Sequence, residues 1–208
     1  MHALRNFALI LLAAAAGVLA GCGGGPRTGR EALPGPADLT ARAAFRAAAQ
    51  VGRAWRPDAR LVLVSTSWQN PTPDRLRTGR GAWAFYFVSP GGPTEGGQGL
   101  PALVVTVADG RAEAAAETVV GPELEEVVFL DWKVDSDGAL DAFLRAGGGD
   151  FLADRPEASV AVRLLRPAGR PTPEWRVTAL DGRDGRSFQV RVDAVSGAVV
   201  GSGSGGGR

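Results

Sequence analysis

The chain has 208 residues, 45% of them hydrophobic and 22% charged, with 30 glycines and 14 prolines. That is apolar enough for a packed core and too balanced in charge for a disordered polyelectrolyte. With 23 basic against 22 acidic residues and a net charge of +1, its field is too weak for a nucleic-acid binder driven by phosphate attraction.

The first element is an address. Arg5 supplies a positive start, and residues 7–19 form an apolar run of the length found in secretory signals. The run is shorter than the ~20 apolar residues that a spanning helix needs. It ends in Leu19-Ala20-Gly21-Cys22. Small residues there let an extended chain enter a peptidase cleft, and the thiol can carry a thioether-linked diacylglycerol. Residues 1–22 therefore resemble a bacterial lipoprotein signal with its lipobox, Leu19, Ala20 and Gly21 preceding the acylated Cys22. The resemblance implies a signal peptide over residues 1–21 and two or three acyl chains such as palmitate. It also implies an extracytoplasmic, membrane-anchored location in the cell envelope. Gly23 stands where such lipoproteins often carry an aspartate for inner-membrane retention. In a cell with two membranes, that favours the outer membrane, on its periplasmic face or outer surface.

Processing would leave little chemistry. The single His2, Met1 and Cys22 are removed or consumed. The mature chain then lacks the means for a Ser-His-Asp or Cys-His arrangement, a His/Cys zinc site or an internal disulfide. No cofactor, metal or nucleic acid is expected. The acid/base groups left are carboxylates, Tyr86, Lys133 and arginines, so a carboxylate-pair hydrolase stays open as an alternative.

Residues 22–37, rich in Gly, Pro and Arg, read as the lipidated cysteine and a flexible tether. Residues 38–55 predict a helix, with Ala44, Ala48, Val51 and Trp55 on one face and Asp38 or Thr40 as its cap. Arg56-Pro57 ends it. Strands follow at 60–67, 83–88 and 103–108, then Asp109-Gly110 as a hairpin turn and a strand running to Val120. Trp83, Phe85 and Phe87 alternate with Ala84, Tyr86 and Val88, which predicts a central strand covered on both faces. Residues 127–130, with Trp132 and Val134, read as a strand opening a second half or as a buried bridge between halves.

The second half repeats the plan. Asp135 or Ser136 caps a helix carrying Leu140, Phe143 and Leu144, which Gly147-Gly148-Gly149 interrupts. Arg155-Pro156-Glu157-Ala158 echoes Arg56-Pro57-Asp58-Ala59. Strands follow at 160–165, 175–180, 188–192 and 198–200, with a turn over residues 193–197. Residues 201–208 read as a disordered Gly/Ser tail. Strands joined by short turns pair antiparallel. The expected fold is therefore α+β: two tandem modules, 38–120 and 127–200, each a helix packed on a curled antiparallel sheet.

Asp135-Ser136-Asp137-Gly138-Ala139-Leu140, the Trp175-Arg176-Val177 strand and the closing turn Val192-Asp193-Ala194-Val195-Ser196-Gly197-Ala198-Val199 resemble a PepSY-type domain, with the first half following the same plan. The resemblance implies cystatin-like modules that bind or inhibit peptidases or modulate other partners, with no catalytic residues to carry over. The expected function is a non-enzymatic, lipid-anchored binding module for a protein or peptide partner. A structural role in envelope assembly is a further alternative.

Four residues are singled out as a possible binding surface: Trp68, Arg75, Arg77 and Arg80, which could clamp a carboxylate, a phosphate or an anionic headgroup. The bland alternative is a solvated loop over a core indole. Asp131, Asp135, Asp137 and Asp141 do not fit a calcium loop, because aligning Gly138 as its glycine puts Lys133 and Leu144 at ligand positions. They read as a helix start, and Asp193 reads as a turn residue. The glycine-rich stretch 91–99 lacks the ending of a phosphate loop.

Overall fold

The computed structural model describes residues 38–91, 99–121 and 123–206. After a two-residue strand, β1 (Leu39–Thr40), comes helix α1 (Ala41–Trp55). Thr40 takes the N-cap position, but its side chain makes no capping bond. The helix's first donors are satisfied instead from the far half of the chain. Ala41 N donates to Ser136 Oγ (3.1 Å) and Arg42 N to Asp135 Oδ1 (2.9 Å). The buried stripe of α1 is Ala41, Ala44, Ala48, Ala49 and Gly52. These small residues let the helix backbone settle close on the sheet: a Cβ at Gly52 would lie 3.0 Å from the Phe87 ring.

β2 (Arg60–Gln69) leads to a short helix α2 (Pro73–Arg77) and the short strand β3 (Arg80–Gly81), which pairs with β1. β4 (Trp83–Val88), β5 (Leu100–Ala108) and β6 (Arg111–Val120) complete the first half. The β5–β6 turn has Asp109 at φ 50° and Gly110 at φ 73°, the two left-handed residues a tight hairpin needs. β7 (Leu124–Glu125) follows, then α3 (Ser136–Phe143), one π-helical turn over Leu144–Gly148 and α4 (Gly149–Asp154). The glycine interruption is thus a π turn, with Gly147 at φ 109°. The last strands are β8 (Ser159–Pro167), β9 (Glu174–Leu180), β10 (Ser187–Asp193) and β11 (Val199–Gly205).

The fold is α+β, with a few helices on one large antiparallel sheet. Its strand order is β6-β5-β4-β2-β8-β9-β10-β11, with β7 added beside β8. Each half supplies four consecutive neighbours, and the halves meet where β2 pairs with β8, from Leu63↔Leu165 to Gln69↔Ser159. Both helix ends close alike: Ala59 N donates to Arg56 O (3.1 Å) and Ala158 N to Arg155 O (3.0 Å). Residues 38–120 and 127–200 share not only the sheet but one apolar core, which runs from Ala44 and Phe85 to Leu140 and Val190. Indoles and phenyl rings join it: Trp83 stands edge-on to Trp175 (6.2 Å), Trp175 to Trp132 (5.8 Å), and Trp132 to Phe129 (5.9 Å).

One open reading is decided and two expectations are corrected. Residues 127–130 form the bridge and not the strand: Val127 is buried and its N–H donates to Leu61 O (2.7 Å), while Leu130 is 79% exposed. β4 is central but not covered equally. Trp83, Phe85 and Phe87 point to the helices, whereas Ala84 and Tyr86 are only half-buried on the opposite face. A small second cluster around Leu63, Val88 and Leu165 covers part of that face. The supposed tail is, over residues 201–205, the outer part of edge strand β11, paired with residues 187–191 of β10. Backbone pairing needs no side chain, so glycine and serine serve where β10 offers a partner.

Candidate functional site

The lipobox residues Leu19, Ala20 and Gly21, the acceptor Cys22 and the tether lie outside the described residues, as does most of the stretch 91–99.

The surface expected from Trp68, Arg75, Arg77 and Arg80 does not form. Trp68 is 2% exposed and stands edge-on to Trp83 at 6.1 Å. Arg75 is 4% exposed, with its guanidinium 6.0 Å from the Trp68 ring. Thr72 caps α2 by accepting from Arg75 N (3.1 Å). Arg75 Nη1 donates to Arg80 O (2.6 Å), and its Nη2 pairs with Asp38 (3.4 Å). This arginine ties the loop's own backbone together. Only Arg77 and Arg80 are exposed, and Arg77 pairs with Asp74 (2.6 Å). The cause lies at Gly79, whose left-handed φ of 59° folds the loop back onto the start of α3. There Gly79 O accepts from Ser136 Oγ (2.7 Å).

The acidic cluster is a helix start. Asp135 accepts from Ser136 N (2.7 Å) and Asp137 from Gly138 N (2.8 Å), while Asp141 pairs with Arg145. Asp193 closes its turn by accepting from Val195 N, Ser196 N and Ser196 Oγ at 3.1, 2.7 and 2.8 Å, with Gly197 at φ 77°. Burial pushes its carboxyl up, but Thr172 and the turn donors outweigh that and hold it below the ordinary value. Asp58 is lowered by Gly91 N and Ser89, and Glu125 by Gly169 N and Arg166.

Asp181 is lowered furthest, to about 2, first by the hydrogen bond from the Arg183 side chain and then by the Arg183 backbone N–H. The unfolded chain takes up this proton near the ordinary value of 3.8; the folded chain holds out to about 2. The unfolded state therefore binds more protons in that window, and stability falls as pH falls through it. Thermal unfolding followed from pH 5 to pH 2 should show a shallower decline for Asp181→Asn than for the natural chain. An identical slope would refute the assignment.

What the structure does expose is sheet edge. β6 pairs with β5 along one side, and its other side has no strand beside it among the described residues. All ten of its residues are exposed or half-buried. Val119 is 65% exposed, and Ala115 is the extra residue of a bulge opposite Val104 and Val105. An unpaired row of N–H and C=O groups is a template for another strand. Its sequence signal is an alanine- and glutamate-rich strand beyond the Asp109-Gly110 turn, too polar for a central position. At the other edge, an open cleft of about 350 Å³ lies beside β11, lined by Phe151, Arg155, Ser187 and Ser204.

No described helix is long and apolar enough to cross a membrane, and the described residues hold no cluster of three metal-ligating side chains. No family model matches the chain, and no curated protein matches it. Among solved structures it resembles the crystal structure of a "putative lipoprotein" from Clostridium difficile 630. The TM-score is 0.49 and the identity 10%, over 77% of this chain and 92% of that one.

Proposed function

We propose that this chain is a lipid-anchored cell-envelope binding module without catalytic activity. It consists of two modules of the PepSY type fused through β2 and β8, and it takes up an extended segment of a protein partner at a sheet edge, inhibiting or modulating that partner. The observation that carries the reading is edge strand β6, ten residues long, with no strand along its outer side among the described residues. Main-chain hydrogen bonds supply affinity in this mode, and flanking side chains supply selection.

Ala115→Pro is the test. Proline is tolerated at a bulge and on an edge but removes a donor. The natural chain should capture an envelope protein saturably from membrane extracts, or slow an envelope protease, and the variant should do so at least tenfold more weakly at unchanged stability. No saturable partner and no effect on envelope proteases would count against the reading. Intact mass spectrometry of the chain from its own cells checks the anchor separately: it should begin at Cys22 and carry fatty-acid mass.

A further inference from the structure

One level of the sheet carries an uneven charge. Strand register places Glu113, Thr106, Ala84, Ser65, Arg163, Arg176, Arg191 and Gly201 side by side from β6 across to β11. These residues alternate with core residues such as Phe85, Val162 and Val177, so they share the face that bears no helix. Neighbouring strands are ~4.8 Å apart, and like charges directly opposite each other are destabilising. Three arginines on adjacent strands are therefore costly for folding. Counting outward from the β2–β8 pair, the first half holds Ser65, Ala84 and Thr106 at the same three positions. A sheet of this kind thus forms with small neutral residues at those positions; the buried Glu174 gives Arg176 and Arg191 a partner, and folding leaves Arg163 unexplained.

Internal compensation is incomplete. Glu174, with its side chain 8% exposed, pairs with Arg176 Nε (2.6 Å) and more distantly with Arg191 (3.7 Å). Arg163 makes no ion pair or side-chain hydrogen bond among the described residues. On one side the row borders Leu165, Glu174 and Asp193, next to the small apolar cluster around Leu63 and Val88; towards β11 it is open. The open-face positions of β11 are Gly201, Gly203 and Gly205, and a Cβ at Gly201 would lie 2.7 Å from Arg191 Nη2. The glycine leaves the guanidinium room to lie over the edge strand. Ser67, Thr178 and Gln189 flank the row with polar groups.

We propose that this helix-free face docks on an anionic phospholipid surface through Arg163, Arg176 and Arg191. The row runs across the strands on an open face. An acidic peptide added at an edge would lie along the strands and meet no more than one of the three, and a small anion would find no walls around it. A planar array of phosphates meets all three at once. Residues 22–37 reach on the order of 50 Å when extended, so the proposed anchor brings such a surface within range. Docking itself does not depend on the anchor.

The test uses the full chain with Cys22→Ser, which leaves an introduced cysteine as the sole thiol. A fluorophore at Ser67→Cys reports the open face, and one at Arg53→Cys, exposed on α1, reports the helix side. Phosphatidylcholine vesicles with and without one-third phosphatidylglycerol carry a headgroup quencher. The Ser67 probe should be quenched on the anionic vesicles alone, and the Arg53 probe on neither. Each arginine near an anionic surface is worth about fivefold in binding. Arg163→Ser with Arg176→Ala and Arg191→Thr should therefore weaken docking about a hundredfold, and lysine at all three should retain it. Arg163→Ser alone, which orphans no carboxylate, should cost about fivefold and covers the case of a misfolded triple variant. Equal quenching on both vesicles, or docking unchanged in the Arg163→Ser and triple variants, would overturn the proposal. So would soluble polyglutamate binding the row while vesicles do not. A chain that proves unlipidated would overturn the anchor and leave this result standing.

Discussion

Replacing Trp175 by alanine should cost about 3–5 kcal/mol, the range for truncating a large buried aromatic, and so a large share of the stability of a domain of this kind. Trp175 is fully buried and sits at the junction of the halves, edge-on to Trp83 of the first and to Trp132 of the bridge. Its Nε1 donates to Val134 O (2.9 Å), which also accepts from Trp132 Nε1 (2.9 Å). The truncation removes packing in both halves and one of two hydrogen bonds on a shared carbonyl. Because the core is continuous, urea unfolding of the natural chain should show one cooperative transition. In the variant the midpoint should fall while the transition stays single. Two transitions, or a loss below about 1 kcal/mol, would mean that the halves are stable separately and the shared core is incidental.

Gly79→Ala should be nearly as severe. At φ 59° an added Cβ costs about 1–2 kcal/mol in conformation alone. That Cβ would also sit 2.3 Å from Asp137 N and 2.6 Å from Asp137 Cα. Backbone atoms at the start of a helix cannot swing aside as a side chain can, so overpacking adds about 1–3 kcal/mol. Relief of the clash would pull Gly79 O from Ser136 Oγ, and Ser136 Oγ also accepts from Ala41 N at the start of α1. Gly169→Ala is the control: its φ is 76°, but nothing lies within 4 Å of the added atom. Chemical unfolding of the two variants should differ by the contact alone. Equal losses would show that the Gly79 loop does not bear on α3.

Much of the local structure was legible in residue order. The Asp109-Gly110 hairpin, the helix end at Arg56-Pro57 and the turn built on Asp193 and Gly197 each depend on the conformational limits of a few adjacent residues. The site was less legible. An arginine followed by exposed neighbours looks solvated in sequence, yet Arg75 is buried because the Gly79 turn returns it to its own loop's carbonyl and the Trp68 ring. Glycine and serine after Val200 look like a tail, yet they pair with β10. Residues 127–130 read in sequence as a strand or a bridge, and only the contact of Val127 N with Leu61 O, a residue far away in the chain, decides for the bridge.

The sequence by itself determined the two main helices, the long strands from β2 to β10, their order and antiparallel connection, and the sparse chemical inventory, because these follow from periodicity, turn residues and composition; the short elements β1, α2, β3 and β7 carry no such signal. Tertiary structure alone decided that both halves share one sheet and core, that Ser136 and Asp135 cap a helix more than 90 positions earlier, and that Arg163, Arg176 and Arg191 stand in one row. Each depends on strand register between segments far apart in the chain, and no local pattern of side chains specifies that register.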